Sequence, residues 1–495
     1  MNKEKIKLWL KNPANLILLL ILIFSFSIRL YFFFVAQNQP LWWDEAEYLS
    51  TAKHWASSVP YDINPQRPPL FQFLSAIVFL IGLGENFIKF FFVLLPSTFM
   101  VFSVYLLGKE MFDKKIGLIA AFLVSITWTF LFWTSRVQPD FISMTFQVLA
   151  ITFIWKYWKS PKSKTIILSG IFAALGFYFK ISALLIPVIF IVFILLKDRL
   201  SAFKNKDYYY FALSYIVSLI PFFIWSYFTF NDPIAIFHSG YSGAVSTPTP
   251  LAWSVLPYFY TLTESLFFVL FLIGLFISLK FLIYPDILVK DKSKVFDPNI
   301  FSLLSLIIIT AFYVCYIKGI EDRWVFLWIP FISFYAAGSL MFIYKFAKKY
   351  SKYFAILLVL GLLLFVAYAH IQHSDSLITS KKTSYLQVKE AGLWLKENTN
   401  KEDKIWCLSL TQMTYYAERN VTNYNKPLTS SALFEKYLED NHINYVVWSV
   451  FESVPLPWFQ NWSEENQDNL EIQNVYYSDA SQTQPLLAIF KRIKP

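Results

Sequence analysis

The chain has 495 residues, of which 56% are hydrophobic and only 15% charged, and its net charge is +10. Apolar runs close to the roughly 20 residues that cross a bilayer recur along it, which excludes an ordinary soluble protein. The positive charge lies in short clusters between these runs rather than in one patch, which excludes nucleic acid as the main partner. The sequence therefore predicts a polytopic α-helical membrane protein.

The first apolar run, residues 16–34, is too long for a signal peptide and no small-residue cleavage site follows it. It is predicted to be the first span and signal anchor. Lys and Arg cluster at residues 3–11, 109–115, 156–164, 197–206, 280–294 and 345–352. The positive-inside rule places these six clusters in the cytoplasm and the loops between them outside.

The number of spans follows from the side of the membrane on which each cluster lies, because two clusters on the same side must be joined by an even number of spans. The chain must cross an even number of times between the first two clusters, so the short apolar stretch 70–83 is predicted to be a juxtamembrane or re-entrant helix on the outer face. About 11 spans result, with the N-terminus inside and the C-terminus outside. They are 14–36, 88–108, 116–134, 141–158, 165–179, 182–197, 208–230, 258–280, 300–317, 324–344 and 352–369.

The composition becomes polar after residue 374. Helical periodicity in 385–395 is followed by a β-rich run at 404–408, and a second helix at 431–440 leads into a strand at 445–448. Alternating helix and strand indicates a small α/β domain, which span parity places outside. We therefore predict a transmembrane catalytic domain at 1–372, with an outer loop at 37–87, and a soluble extracytoplasmic domain at 373–495.

Acidic residues lie at the predicted outer surface in two places. Residues 42–48 read Trp-Trp-Asp-Glu-Ala-Glu-Tyr, so Asp44 and Glu45 closely follow the first span and Tyr48 ends the motif. Asp140 begins a later span. Acids delivered from separate loops to one face either deprotonate an acceptor hydroxyl or hold a divalent ion together. The competing interpretations are a solvated loop with interfacial tryptophans and, for Asp140, a helix N-cap.

Basic residues share this predicted face. They are Arg67 before two prolines, Arg136 shortly before Asp140, Lys180, and Arg323. Each one alone is consistent with a side chain that snorkels to the interface. Together they form the set of cations that a phosphate leaving group needs, and arginine offers a bidentate fit.

Three further acids are secondary candidates. Glu321 and Asp322 precede Arg323 directly, and Glu264 lies within a predicted span, as does the basic Arg29. Ionisable residues inside a span are costly and point to function or to a structural ion pair. No Walker-type phosphate loop, zinc-spaced Cys/His cluster or nucleotide-binding fingerprint occurs in the sequence. Because an enzyme outside the cell lacks cytosolic nucleotide donors, an activated sugar has to arrive on a lipid.

At these residues the chain resembles the GT-C superfamily, in the branch of the protein O-mannosyltransferases and the lipid A aminoarabinose transferase. The resemblance runs over nearly the whole chain, and each of its motifs is short. These are Asp44-Glu45 after the first span, Arg67 before two prolines, Asp140 at a span start, the glycine-to-lysine segment from Gly176 to Lys180, Glu321 to Trp324, and Lys389 to Leu395 at the start of the soluble domain.

The resemblance implies an inverting glycosyltransferase of the cytoplasmic membrane that takes a monosaccharide from a polyprenyl-phosphate or dolichyl-phosphate carrier. Asp44 is then the base or acceptor-orienting acid, assisted by Glu45 and supported by Asp140. Arg67, Lys180 and Arg323 bind the carrier phosphate. The acceptor, a protein, lipid or cell-envelope glycan, stays open, and so does the sugar.

Metal dependence also stays open. Gln66 stands before Arg67, whereas the aminoarabinose enzymes that this chain resembles have an acid and a metal ligand near this position. The sequence therefore assigns no cofactor and leaves a divalent metal ion as an alternative. The alternative functions are a lipid-linked-sugar flippase or transporter, which is expected to carry polar residues through the bilayer depth, and a ligase or polymerase that uses diphosphate-linked oligosaccharide.

Overall fold

The computed structural model describes residues 9, 11–239, 251–283, 292–317, 321–423, 430–452, 458–478 and 481–493. Most residues of the two Lys/Arg clusters at 3–11 and 280–294 therefore lie outside the described residues. Contacts divide the chain into two compact units. The helical unit comprises residues 1–36, 65–69 and 89–379, and the sheet unit comprises residues 37–64, 70–88 and 380–495.

The elements are numbered in chain order. The first nine helices are α1 (Pro13–Val35), α2 (Trp43–Ser57), α3 (Leu70–Leu80), α4 (Glu85–Ile88), α5 (Leu95–Met111), α6 (Lys114–Ile126), α7 (Trp128–Thr134), α8 (Asp140–Lys159) and α9 (Ser163–Phe179). The next eight are α10 (Leu185–Asp198), α11 (Lys206–Phe230), α12 (Ala235–Ser239), α13 (Tyr258–Thr263), α14 (Ser265–Ile283), α15 (Lys292–Ala311), α16 (Trp328–Ala347) and α17 (Lys352–Lys381). The remaining elements are α18 (Leu386–Asn398), β1 (Lys404–Cys407), α19 (Leu410–Ala417), β2 (Asn420–Thr422), α20 (Ser431–Asp440), β3 (Tyr445–Ser449), α21 (Phe459–Glu465), β4 (Leu470–Tyr477) and β5 (Pro485–Arg492).

The prediction of a polytopic helical membrane protein is confirmed. Among the described residues, seven helices are long and apolar enough to cross a membrane, or up to nine if each of two bent helix pairs is one span. The predicted spans 141–158 and 165–179 fall on α8 and α9, which are not among these nine, so the count of 11 and the orientation stay predictions. The stretch 70–83 contains the 11-residue α3, whose length of about 17 Å is too short for a bilayer.

A buried arginine joins three helices of the helical unit. Arg29 of α1 is fully buried. Its Nε donates to Ser97 Oγ on α5 at 3.1 Å, and Nη1 donates to Ser25 Oγ at 2.8 Å and to the carbonyl of Ser125 on α6 at 2.9 Å. Hydroxyl and carbonyl oxygens thus bind Nε and Nη1 of this guanidinium, while its buried Nη2 has no hydrogen-bond partner among the described residues. The bonds to Ser97 and Ser125 give Arg29 a structural role in packing α1 against α5 and α6.

The predicted C-terminal α/β domain is confirmed as a five-stranded sheet in the order β2-β1-β3-β5-β4. β1 is parallel to β2 and β3, whereas β5 is antiparallel to β3 and β4. Alternate side chains point to opposite faces, so Ile405 and Cys407 pack with α18 and α19 while Trp406 packs with α20 and α21. The sheet therefore has a separate apolar core on each face.

Candidate functional site

Asp140 and Lys180 form a buried ion pair in the helical unit. Asp140 is the first residue of α8, and its Oδ1 accepts a hydrogen bond from Lys180 Nζ. The Asp140 side chain is 3% exposed and that of Lys180 is 18% exposed. Lys180 has an extended backbone between α9 and the 3₁₀ turn Ile181–Leu184, so its side chain leaves the chain where the helix is interrupted. Two residues that the sequence singled out separately are thus direct partners.

The glycine before Lys180 lets the two helices approach. A Cβ at Gly176 would lie 3.2 Å from Gln147 Cγ on α8 and 3.2 Å from Ala183 Cβ, so these neighbours would have to shift by a few tenths of an ångström to admit a larger residue. Ser143 Oγ on α8 donates to the Gly176 carbonyl at 2.8 Å, and Gln147 Nε2 donates to Ser143 Oγ at 3.0 Å. These contacts hold the last turn of α9 on α8 and thereby set the position of Lys180.

Arg323 lies at the same place in the fold. It belongs to the 3₁₀ turn Asp322–Val325 that precedes α16, and it is 8% exposed. Its Nε donates to Glu321 Oε2 at 2.6 Å, and its guanidinium carbon lies 4.9 Å from the centre of the Trp133 ring. The carboxylate and the aromatic face together hold a nearly buried cation in one orientation.

Asp322 anchors this turn to α7. Its Oδ2 accepts hydrogen bonds from Thr129 Oγ1 at 2.9 Å and from Trp133 Nε1 at 2.8 Å, and its Oδ1 accepts from the Arg323 backbone N–H at 2.9 Å. Burial raises the pKa of Asp322 above its ordinary value, although these donors oppose the shift. Asp322 therefore fixes the residue next to it, and the predicted Glu321, Asp322 and Arg323 form one local network.

Two small cavities adjoin these groups. Asp140, Lys180 and Arg323 line one of about 20 Å³, together with residues that include Trp324 and Ser182. Lys180 also lines a second cavity of about 10 Å³. Each has room for about one water molecule, so the lining groups must move apart before a larger anion enters. The structure thus brings an acid and two cations, predicted from three distant segments, to one point.

The helical unit contains three more of the predicted residues. Arg136 is fully buried and Arg67 is partly exposed. Glu264 has a positive φ of 47° at the break between α13 and α14, where the chain bends by 113°. Its Oε1 lies 2.7 Å from His373 Nδ1, and the His373 ring stacks on Trp128 at 4.5 Å. His373 is a partner that the sequence analysis did not single out.

The acidic motif 42–48 belongs to the sheet unit and forms the start of α2. Asp44 and Glu45 lie in the first helical turn, where the helix dipole stabilises negative charge. Asp44 is partly exposed. Glu45 is buried, and its Oε2 accepts a hydrogen bond from the Trp42 backbone N–H at 2.7 Å, which caps the helix. The ring of Tyr48 packs edge-on against Phe71 of α3.

The C-terminal residues hold α2 in place within this unit. Thr411 Oγ1 of α19 donates to the Trp43 carbonyl at 3.1 Å, and Ser50 Oγ donates to the Thr411 carbonyl at 3.2 Å. Lys53 Nζ donates to the Tyr415 carbonyl at 2.9 Å and to Glu418 Oε1 at 2.6 Å. The helix that carries Asp44 is thus positioned by residues far along the chain, which the sequence analysis missed.

This cluster shifts the titration of its members. Burial lowers the pKa of Lys53, and Glu418 partly offsets the shift. Burial tends to raise the pKa of Glu418, but hydrogen bonds from Lys396 and Lys53 outweigh it and lower the pKa below its ordinary value. Burial also raises the pKa of Tyr415 well above its ordinary value. Lys53 and Glu418 thus form an ion pair in which each partner favours the charged form of the other and so opposes the effect of burial.

Within the part of the chain that the structure describes, no three His, Cys, Asp or Glu side chains are grouped closely enough to hold a metal ion. The question of a metal stays as the sequence left it.

Comparison with known proteins gives one family match, over part of the chain, and several solved structures with a similar fold. Residues 66–225 match the family of dolichyl-phosphate-mannose-protein mannosyltransferases. No curated protein matches the sequence. ArnT from Cupriavidus metallidurans, solved with undecaprenyl phosphate, superposes with a TM-score of 0.66 at 10% identity, covering 94% of this chain and 97% of that one.

Two other solved structures share the architecture. The oligosaccharyltransferase AglB from Archaeoglobus fulgidus, in complex with an inhibitory peptide and a dolichol-phosphate, has a TM-score of 0.65 at 14% identity, over 98% of this chain and 75% of that one. The arabinofuranosyltransferase AftD from Mycobacteria has a TM-score of 0.56 at 12% identity, over 95% and 41% respectively. The chain therefore has the fold of the GT-C membrane glycosyltransferases, and its residues 66–225 resemble the dolichyl-phosphate-mannose-protein mannosyltransferases.

Proposed function

We propose that the protein is an inverting glycosyltransferase that moves a monosaccharide from a polyprenyl-phosphate carrier to a protein, lipid or glycan acceptor. The observation that carries this proposal is the pair of cations, Lys180 and Arg323, that lines one buried cavity with Asp140. A buried phosphate needs such cations, because only hydrogen-bonded opposite charges offset its desolvation. Carrier phosphate is the proposed ligand since the solved ArnT and AglB structures hold undecaprenyl phosphate and a dolichol-phosphate.

The reaction is a single displacement at the anomeric carbon. The acceptor oxygen forms a bond to that carbon from the side opposite the phosphate, and the bond between carbon and phosphate oxygen breaks with its electron pair passing to the phosphate. Asp44 takes the hydroxyl proton as general base. The leaving carrier phosphate is a monoester, whose charge at pH 7 is between about −1.5 and −2, and Lys180 and Arg323 stabilise the charge that develops.

The remaining residues support these two tasks. Asp140 binds and orients Lys180, while Glu321 and Asp322 orient Arg323. Arg67 is proposed as a third cation for the carrier. Glu45 caps the helix that carries Asp44 and so fixes the base.

The proposed location is the cytoplasmic membrane, with the active site on its outer side. The support is the charge pattern of the sequence. The six Lys/Arg clusters are predicted to lie in the cytoplasm, and the loops on the opposite side carry Asp44, Arg67, Lys180 and Arg323. A transporter is expected to place polar residues through the bilayer depth. The proposed site residues instead lie at the ends of predicted spans.

The test uses purified protein in detergent with a panel of short-chain polyprenyl-phosphate sugars and follows release of polyprenyl phosphate by mass spectrometry. We expect release by the wild type, a loss of at least about 100-fold in Asp44→Asn, and normal release by the control Asp62→Asn, which removes an exposed carboxylate from the same loop. A chelator arm decides metal dependence. Folded protein that releases nothing from any donor would overturn the proposal in favour of transport or of diphosphate-linked donors.

A further inference from the structure

A much larger cavity lies in the helical unit, apart from the two small cavities beside Lys180. It has a volume of about 600 Å³ and shares no lining residue with the cavity at Asp140. This is the size of a pocket that binds a small organic molecule. Its apolar wall is formed by Phe112, Ile116, Ile277, Phe334, Met341 and Phe342.

Three lysines line the same cavity. Lys114 and Lys115 begin α6, and Lys345 lies in the last turn of α16. All three are exposed, and none is paired with a carboxylate among the described residues. One acid, Asp113, also lines the cavity, but its Oδ1 caps α6 by accepting from the Lys115 and Ile116 backbone N–H groups. The lining therefore carries an excess of positive charge beside an apolar wall.

The packing of α14, α15 and α16 leaves this space open. A Cβ at Gly274 would lie 1.9 Å from the Tyr335 carbonyl oxygen, so α14 touches the backbone of α16 there. A Cβ at Gly338, one turn further along α16, would meet no atom within 4 Å, so this glycine faces open space. Ser278 Oγ donates to Asn299 Oδ1 at 2.7 Å beside it, which gives the cavity a buried polar end.

We propose that this cavity binds an anionic phospholipid, with the phosphate at Lys114, Lys115 and Lys345 and an acyl chain along the apolar wall. The charge fits one occupant: a free anion would leave the apolar wall against water, and a neutral lipid would not use the lysines. Both lysine groups belong to the predicted cytoplasmic clusters 109–115 and 345–352, and basic pockets between spans on that side suit anionic headgroups. The site is separate from the proposed donor site.

Native mass spectrometry of the delipidated full-length protein tests this directly. The protein is titrated with phosphatidylglycerol, with phosphatidylcholine of the same chains, with a polyprenyl phosphate and with inorganic phosphate. We expect phosphatidylglycerol to bind best. The variant Lys114→Gln/Lys115→Gln/Lys345→Gln should bind it at least about tenfold more weakly, since each lysine near an anionic lipid contributes roughly a fivefold factor. Its matched control, Lys348→Gln/Lys349→Gln/Lys352→Gln, removes the same charge outside the cavity and should bind normally.

A second pair of variants tests the cavity without changing charge. Gly338→Leu fills open space and should abolish tight phosphatidylglycerol binding, whereas Gly361→Leu, at an exposed glycine of α17 with no atom within 4 Å, should not. Binding that is equal for both phospholipids, or unchanged in Gly338→Leu, would overturn the proposal. Tighter binding of polyprenyl phosphate, or competition by inorganic phosphate, would replace the phospholipid with a carrier or a soluble anion.

Discussion

The Asp140–Lys180 pair allows a structural role to be separated from a role in the reaction. Breaking a buried ion pair by removing one partner costs about 3–5 kcal/mol, because the remaining charge stays buried. Lys180→Gln leaves the almost fully buried Asp140 carboxylate, so we expect a loss of about 3 kcal/mol. Asp140→Asn leaves Lys180, which is 18% exposed and reaches solvent more easily, so we expect about 2 kcal/mol.

The double variant Asp140→Asn/Lys180→Gln buries two neutral amides and should also lose only about 2 kcal/mol, which gives a coupling energy of about 3 kcal/mol. At about 2 °C per kcal/mol, the thermal midpoint in detergent should fall by about 6 °C in Lys180→Gln and about 4 °C in the double variant. Release of polyprenyl phosphate should behave differently. Both variants lack the cation and should lose about 100- to 1,000-fold.

A second buried pair supplies the control. Lys197 Nζ and Asp297 Oδ1 form an ion pair in the same unit, with side chains 26% and 7% exposed. Lys197→Gln and Asp297→Asn should lower the thermal midpoint by a similar amount but leave turnover per folded molecule intact. Recovery of activity in the Asp140→Asn/Lys180→Gln variant would refute the phosphate role of Lys180, and additive losses of stability would refute the ion pair itself.

Three further predictions concern other parts of the chain. The pKa of Glu418 in the folded protein lies below its ordinary value, so the stability that its charged form contributes is present above about pH 4.5 and is lost as pH falls through the folded pKa. Thermal midpoints measured between pH 6 and 3 should therefore fall less steeply in Glu418→Gln than in the wild type. Gly392→Val should destabilise the sheet unit by about 1–3 kcal/mol, because a Cβ at this position would lie 2.5 Å from Tyr416 Cβ. The control Gly361→Val, where a Cβ meets no atom within 4 Å, should leave the thermal midpoint close to that of the wild type. Asp322→Ala removes the acceptor of the Trp133 indole N–H, and it should weaken donor binding measured by titration about tenfold while Lys180 remains in place.

Local sequence signals predicted the C-terminal elements closely. The predicted helix 431–440 coincides with α20, since Ser430 caps it by accepting from the Leu433 N–H and apolar residues recur at helical spacing. The predicted strand 445–448 differs from β3 by one residue. These elements are determined by capping and periodicity over a few residues, which a sequence shows directly.

The bends in two predicted spans could not be predicted. The predicted span 116–134 is broken at Thr127, where α6 and α7 meet at 55°, and the predicted span 258–280 is broken at Glu264 with a bend of 113°. Neither break contains glycine or proline, and hydropathy averages over a window longer than the break. Side chains from distant segments contact both bends, Asp322 at α7 and His373 at Glu264.

The residue types of the candidate site were predictable, but their partners were not. Charged residues at span ends are uncommon enough to single out Asp140, Lys180 and Arg323. Contacts between segments far apart in the chain pair Asp140 with Lys180 and hold the helix of Asp44 against α19. Hydropathy and motif spacing carry no information about such contacts.

The closed Asp140–Lys180 pair has a consequence for the proposed reaction. A sugar-linked carrier phosphate is a diester with one negative charge, and the released carrier phosphate is a monoester with nearly two. Only the growing charge competes well with the Asp140 carboxylate for the Lys180 ammonium group, so these contacts strengthen along the reaction. Interactions that strengthen towards the transition state raise the rate rather than merely the affinity for the donor. The same cations should then bind the product more tightly than the donor, so release of carrier phosphate becomes the step that limits turnover.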